Sequence, residues 1–128
     1  MQESRENHAA RLTVDCAIKV HSALGPGLLE SVYEACLTHE LSKCGIDVER
    51  QRACPVHYDS IRLDAGFRLD LVVDRCLIVE VKAVKELSRL HLAQLLTYLR
   101  LTQYRLGLLM NFNVQRMKDG IRRVANGL

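Results

Sequence analysis

The sequence predicts an α/β fold, of the α+β type with a mixed sheet, and three observations lead to this class. Apolar residues recur at helical spacing through residues 12–43. Residues 67–73 and 76–83 are β-type segments joined by a short turn, which predicts an antiparallel hairpin. A helical segment and a further β-type segment follow, and a strand–helix–strand order indicates a crossover between parallel strands. We expect one domain over residues 1–128, with residues 1–10 flexible.

Two helices are predicted before the sheet. The first covers residues 12–24 and ends at Gly25-Pro26-Gly27, where glycine and proline break the helical pattern. The second runs from about residue 28 to residue 43 and is expected to end at Gly45, a natural left-handed cap. Its predicted apolar face consists of Leu29, Val32, Tyr33, Cys36, Leu37 and Leu41.

The remaining elements follow from their apolar patterns. Residues 46–65 alternate loosely, and Pro55 predicts an edge strand or an interrupted one. Residues 87–102 form a helix that is apolar almost all round, which predicts packing on more than one side. A buried strand is expected over residues 104–112. For the tail around Asp119-Gly120 the pattern leaves an edge strand and a short helix as alternatives.

Composition narrows the class of protein. The net charge of +3 and the pI of about 8.7 are compatible with a phosphate-bearing partner. The cysteines are odd in number and none are paired at C-x-x-C spacing, so the sequence predicts neither a disulfide framework nor a zinc site. No apolar run suits a secretion signal or a membrane span. We therefore expect a cytoplasmic protein with no membrane contact.

An acidic pair and a lysine stand on the predicted hairpin. Strand side chains alternate between faces, so Glu80 and Lys82 share one face of the second strand. In the first strand, Arg68, Asp70 and Val72 are expected on the face opposite to Leu69, Leu71 and Val73. A register centred on Arg75 places Asp70 directly across from Glu80, with β-carbons roughly 4.5–5.5 Å apart.

This cluster has a chemical and a structural interpretation. Two carboxylates so close repel each other unless a proton or a cation lies between them, and Mg²⁺ prefers such oxygen ligands. A metal there would polarise a phosphate, while Lys82 would orient the attacking water or stabilise the developing charge. In the alternative interpretation, Lys82 only neutralises the two acids in a structural salt-bridge cluster.

Two other features point to the same place. Glu30 lies at the margin of the apolar face of the second helix, where a carboxylate is costly unless it is paired. His91, Gln94 and Tyr98 form a polar stripe on the later helix. The alternatives are a glutamate that reaches water at the edge of the face, and a solvated stripe.

Six motifs in order resemble one family of small prokaryotic proteins. Gly27-Leu-Leu-Glu30-Ser-Val-Tyr33 matches the GxxExxY motif for which that family is named. The similarity covers nearly the whole chain from about Ala17 onward. The five later segments that resemble the family are 67–70, 78–84, 91–99, 107–113 and 118–123.

The family is similar to the PD-(D/E)XK nuclease superfamily, and this resemblance implies a restriction-endonuclease-like α-β-β-β-α-β core with a mixed sheet. It implies Asp70, Glu80 and the Val81 carbonyl as metal ligands and Lys82 as the catalytic lysine. It further implies that Glu30 assists metal binding and that Gln94 is the polar residue of the following helix. Leu69 stands where the superfamily's name has proline.

Two functions of different classes follow from these observations. The first is a Mg²⁺-dependent nuclease, with Mn²⁺ as a substitute ion and DNA favoured over RNA as the substrate. The second is a non-catalytic module of the same fold that binds nucleic acid or a protein partner. A homodimer would supply the recognition surface that a small domain lacks. The candidate nucleic-acid contacts are Arg68, Lys85, Arg89, His91 and Tyr98.

Overall fold

A five-stranded mixed sheet organises the computed structural model, which describes residues 2–128. The strands lie in the order β1-β2-β3-β4-β5; β3 and β4 are parallel, and the other neighbours are antiparallel. The helices are α1 (Arg5–Leu24), α2 (Glu30–Lys43), α3 (Arg89–Thr102) and a 3₁₀-helix (Met117–Gly120). The strands are β1 (Val48–Tyr58), β2 (Ile61–Val73), β3 (Leu77–Lys82), β4 (Leu106–Asn111) and β5 (Ile121–Ala125). The predicted mixed sheet, hairpin and crossover are confirmed.

The helices bury the two faces of the sheet in separate cores. Helices α1 and α2 pack on one face, in a cluster that includes Tyr33, Leu37, Leu71 and Val79. Helix α3 packs on the other face, where Leu95 and Leu99 meet residues of β2, β3 and β4. Because both faces are covered, β3 and β4 are buried along almost their whole length, as expected for parallel strands.

Helix α1 begins at Arg5, seven residues before the predicted start, so most of the segment expected to be flexible is helical. The Ser4 hydroxyl caps the helix by accepting a hydrogen bond from the Asn7 backbone N–H at 3.1 Å. Ala9 and Ala10 are buried, and Arg5 forms an ion pair with Asp74 at 3.0 Å. The small buried alanines give a weak apolar pattern, which explains why the sequence did not reveal these turns.

Helix α2 ends as predicted but presents a different face. Gly45, which follows the C-cap residue Cys44, adopts a left-handed conformation with φ of 75°, as the sequence suggested. Tyr33, Leu37 and Leu41 are buried, whereas Leu29 and Val32, which were expected on the same face, are exposed. Leu29 is the residue that precedes the helix, and its backbone is extended. The helical projection therefore does not apply to it.

Helix α3 packs on one side only, which corrects the prediction of contacts all round. Leu95 and Leu99 are its buried residues, while Leu90 and Leu101 are 77% and 50% exposed. The sheet lies against one face of the helix, and within residues 2–128 no other element covers the opposite face. The leucine-rich composition thus reflects helix propensity as well as burial.

The hairpin of β1 and β2 is longer than predicted. Strand β2 begins at Ile61, six residues before the expected start, and residues 61–66 are exposed to solvent. Residues 61–63 pair with residues 56–58 of β1. Strand β1 is an edge strand with an irregularity between Cys54 and Val56, which confirms the prediction from Pro55. Residues 56–65 are called the hairpin arm below. The tail combines both predicted alternatives, the short 3₁₀-helix and then the edge strand β5.

Among the helices of residues 2–128, none is long and apolar enough to cross a membrane.

Candidate active site

The two acids lie where β2 and β3 separate. The ladder between these strands is centred on residue 75, as predicted, and pairs Val73 with Leu77, Val72 with Ile78 and Leu71 with Val79. One step further, Asp70 and Glu80 face each other, and their side chains replace the ladder. The backbone N–H of Asp70 donates to Glu80 Oε2 at 2.8 Å, and the N–H of Val81 donates to Asp70 Oδ2 at 2.9 Å. Each carboxylate is therefore fixed by the opposite strand.

Strand β2 loses its regular alternation at Asp70. The β1–β2 ladder pairs Arg50 with Leu71 and Arg52 with Leu69, but it omits Gln51 and Asp70. Leu69 packs in the core beside α3, on the same side as Val72, so the prediction that Leu69 shares a face with Leu71 is wrong. The irregular backbone at Asp70 explains this, because the period of two holds only along a regular strand.

Burial makes this acidic pair unfavourable in its charged form. Glu80 is 4% exposed, and its burial together with the neighbouring Asp70 charge raises the pKa of Glu80 to about 8. Burial also raises the pKa of Asp70, and the charges of Glu34 and Glu30 act in the same direction. The Val81 N–H and Lys82 lower the pKa of Asp70. A divalent cation would relieve the same repulsion.

The oxygen atoms of the pair suit a hard cation, although the cluster is small. Asp70 Oδ1 and Glu80 Oε1 accept no hydrogen bond from residues 2–128. No fully buried side-chain oxygen in this part of the chain lacks a partner, so both atoms keep contact with the surface. In the same range, no group of three or more acidic, histidine or cysteine side chains is arranged to hold a metal. Two carboxylates, next to the backbone of Val81, are thus the available donor set.

Lys82 is close to both acids but is not paired with them. Its side chain is half-buried, and its charge lowers the pKa values of Asp70 and Glu80. Among residues 2–128, Lys82 forms no ion pair with a carboxylate, although other lysines do. This argues against the structural interpretation, in which Lys82 would be fully engaged with Asp70 and Glu80.

Glu30 reaches the site from the first residue of α2. Its Oε1 accepts a hydrogen bond from the backbone N–H of Ala83 at 3.2 Å, just beyond Lys82. The preceding loop is held by Tyr33, whose hydroxyl donates to the Gly25 carbonyl at 2.6 Å and accepts from the Leu28 N–H at 3.1 Å. The spacing of Glu30 and Tyr33 therefore has a structural reason, because the tyrosine fixes the loop from which the glutamate projects.

Replacing Tyr33 with phenylalanine is expected to lower the free energy of unfolding by about 1–2 kcal/mol. The change removes both hydrogen bonds to the loop but keeps the stacking on Phe112, whose ring centroid is 4.6 Å away. Urea denaturation would measure the effect, with Tyr58→Phe as a control because Tyr58 is 72% exposed on the hairpin arm. Equal stability of the two variants would contradict this role.

The polar stripe of α3 divides into three different environments. Tyr98 stacks on Phe67 with centroids 4.8 Å apart, and burial followed by the charges of Glu80 and Asp70 raises its pKa. His91 forms a capping box with Ser88, since each side chain accepts a hydrogen bond from the other residue's N–H. Gln94 is exposed and its side chain makes no hydrogen bond with residues 2–128. Tyr98 is the member whose pKa responds to the acidic pair.

The remaining candidate contacts are surface cations. Arg68, Lys85 and Arg89 are all exposed. They lie shortly before Asp70, shortly after Lys82 and at the first position of α3. In the part of the chain that the structure describes, none of the three forms an ion pair, so their charges are available to a ligand.

Sequence reasoning missed Glu34. This residue is only 5% exposed and accepts hydrogen bonds from Gln51 Nε2 at 3.0 and 2.9 Å and from Arg50 Nε at 3.2 Å. Its position relative to Leu37 and Leu41, three and seven residues before them, is the spacing of one helix face. A carboxylate on the apolar face of a helix is the signal in the sequence that could have identified Glu34 as a buried residue in need of a partner.

Comparison with known proteins gives one result. A family model described as the PD-(D/E)XK nuclease superfamily matches residues 7–124, nearly the whole chain. Searches among curated proteins and among solved structures gave no match.

Proposed function

Because the chain belongs to the PD-(D/E)XK nuclease superfamily, we propose that it hydrolyses phosphodiester bonds of nucleic acid with the help of a divalent cation. Members of this superfamily typically use divalent metal ions. For this chain the proposed ion is Mg²⁺, with Mn²⁺ as a substitute. The proposed ligands are the carboxylates of Asp70 and Glu80 and the carbonyl of Val81.

One observation carries the proposal: where β2 and β3 separate, the carboxylates of Asp70 and Glu80 take the place of the backbone hydrogen bonds between the strands. One oxygen of each carboxylate accepts a hydrogen bond from a backbone N–H of the other strand, and the second oxygen remains free. Carboxylates held in this way need little reorganisation to receive an ion. Their oxygen donors are those that Mg²⁺ prefers. Bound there, the cation would polarise the phosphate and ease deprotonation of the attacking water.

The other residues have supporting roles in this proposal. The Lys82 ammonium stabilises the negative charge that develops on the phosphate and orients the water. Glu30 assists from the start of α2, where the Ala83 N–H fixes its carboxylate. Gln94 on α3 is proposed to contact the substrate.

Nucleic acid is the substrate class, and we propose DNA rather than RNA. Exposed, unpaired cations would bind the phosphates on either side of the acids, since Arg68 and Lys85 lie near Asp70 and Lys82 in the chain. Arg89, His91 and Tyr98 would extend this contact along α3. A homodimer would double the contact surface and match two-fold symmetric sites.

Calorimetry with Mg²⁺ and Mn²⁺ is the first test. Wild-type protein is expected to bind, and Asp70→Asn/Glu80→Gln is expected to lose binding while it stays folded, since amide oxygens still accept the two backbone hydrogen bonds. Glu49→Gln/Asp64→Asn makes the same two kinds of substitution at exposed positions of β1 and β2 and is the control. Cleavage of DNA and RNA by the same variants follows. Equal binding by the two double variants would refute the proposed ligands.

A second function is favoured by one observation, the small donor set. Among residues 2–128 the site has two acidic side chains rather than three positioned for a metal. A non-catalytic module that binds nucleic acid or a protein partner would need no more. This alternative would be established if folded wild-type protein binds nucleic acid but binds neither Mg²⁺ nor Mn²⁺, whether or not nucleic acid is present.

A further inference from the structure

Glu34 is a buried carboxylate that the proposed reaction does not use. It lies on the second turn of α2, and its side chain is 6% exposed. Gln51 Nε2 contacts both of its oxygens, at 3.0 and 2.9 Å, and Arg50 Nε contacts Oε1 at 3.2 Å. The Arg50 side chain is 43% exposed. A buried carboxylate is unfavourable unless it is bound in this way, so the contacts with β1 hold α2 and β1 together.

Gln51 has an unusual backbone for a strand residue. Its φ of 52° is left-handed, a conformation that non-glycine residues rarely adopt and that persists only where surrounding contacts hold it. The residue is omitted from the β1–β2 ladder, and the position it would face on β2 is Asp70. The ladder is thus open on both sides of Asp70, toward Gln51 on β1 and toward Glu80 on β3.

We propose that Glu34 is a positioning residue of the candidate active site. By holding the Gln51 side chain, Glu34 keeps the β1–β2 ladder open at Asp70. Asp70 can then turn its carboxylate toward β3 and accept the Val81 N–H. The inference depends on the proposed function in one respect, namely that Asp70 is a ligand of the cation. The arrangement itself belongs to the metal-free protein and can be tested there.

Amide hydrogen exchange, measured by NMR without metal, is the main test. Gln51→Gly removes the contact with Glu34, and because glycine adopts positive and negative φ about equally well, it also lets the backbone leave the left-handed conformation. We expect the Val81 amide to exchange at least about tenfold faster than in wild type, relative to the buried amides of β4. Gln103→Gly is the matched control, because Gln103 is also left-handed, with φ of 62°, but caps the end of α3. It should leave Val81 unchanged.

A second pair of variants tests Glu34 directly. Glu34→Ala is expected to speed Val81 exchange as Gln51→Gly does. Glu40→Ala removes another carboxylate of α2, one bound by Lys19 and Lys43, and should have no effect at Val81. If Glu34→Ala unfolds, Val81 exchange in Gln51→Gly alone decides whether the inference stands. In either folded variant, Val81 exchange equal to that of its control would overturn the inference.

Metal binding separates this inference from the proposed function. If wild type binds Mg²⁺, Gln51→Gly should raise the dissociation constant about tenfold or more, whereas Gln103→Gly should not. If wild type binds no metal while Gln51→Gly still speeds Val81 exchange, the proposed function fails and the positioning role of Glu34 stands. If wild type binds metal and neither Val81 exchange nor affinity changes, the positioning role fails alone.

Discussion

Replacing Lys82 with alanine is expected to lower the rate constant for cleavage at least about a hundredfold, because a charge that acts mainly in the transition state is removed. Metal affinity should stay the same or increase, since Lys82 lies near Asp70 and Glu80 without pairing with them. Single-turnover cleavage with excess protein, combined with calorimetry, measures the two effects separately.

Lys43→Ala is the control for the Lys82 experiment. Lys43 pairs with Glu40 at the end of α2, so its removal changes the net charge equally but leaves the site intact. Lys82→Arg adds a further comparison, because it keeps the charge and alters the geometry. A Lys82→Ala protein that cleaves at the wild-type rate would remove Lys82 from the mechanism.

Mg²⁺ affinity is expected to increase about tenfold per pH unit as the pH approaches 8, and to level off above it. Burial, followed by the Asp70 charge, raises the pKa of Glu80 to about 8, so below that pH the folded protein holds a proton that the metal must displace. Calorimetry in buffers of different ionisation enthalpy would count the released proton. Affinity independent of pH between 6 and 8 would contradict the assignment of Glu80.

The same pKa shift predicts how metal-free stability changes with pH. The folded protein binds the Glu80 proton more tightly than the unfolded chain, whose glutamate has the ordinary pKa of 4.5. Stability is therefore greatest below pH 4.5 as far as this group is concerned, and it is lost as the pH rises toward 8. Glu80→Gln should reduce this slope in urea denaturation, whereas Glu49→Gln, at an exposed residue of β1, should not.

The sequence contains enough information for the layout of the sheet and the meeting of the acids. The β2–β3 register depends on local alternation and a short turn, both of which are visible in residues 67–83. Once the register is known, Asp70 and Glu80 must face each other. The crossover through α3 follows from chain order, because parallel strands need a long connection.

The details of the site depend on contacts between distant segments, which no local pattern encodes. Gln51 is left-handed within strand β1, and it is held there by Glu34 from α2. The resulting irregularity at Asp70 turns Leu69 to the other face of the sheet. The capping contact between Ser88 and His91 is local, by contrast, and it accounts for a histidine that the stripe alone predicts beside the site. At Gln51 and Leu69, tertiary structure overrides periodicity.

We also expect the hairpin arm, residues 56–65, to resist proteases less well than the rest of the molecule. Strand β2 meets β3 only from Leu71 onward, so the arm is a two-stranded ribbon, and such ribbons are marginally stable by themselves. Because this ribbon can open while the rest of the sheet stays folded, we expect a protease to cut first at the turn at Asp59-Ser60. Such a cut leaves Asp70, Glu80 and Lys82 on one fragment, and separates them covalently from Glu30, Glu34 and Gln51 on the other.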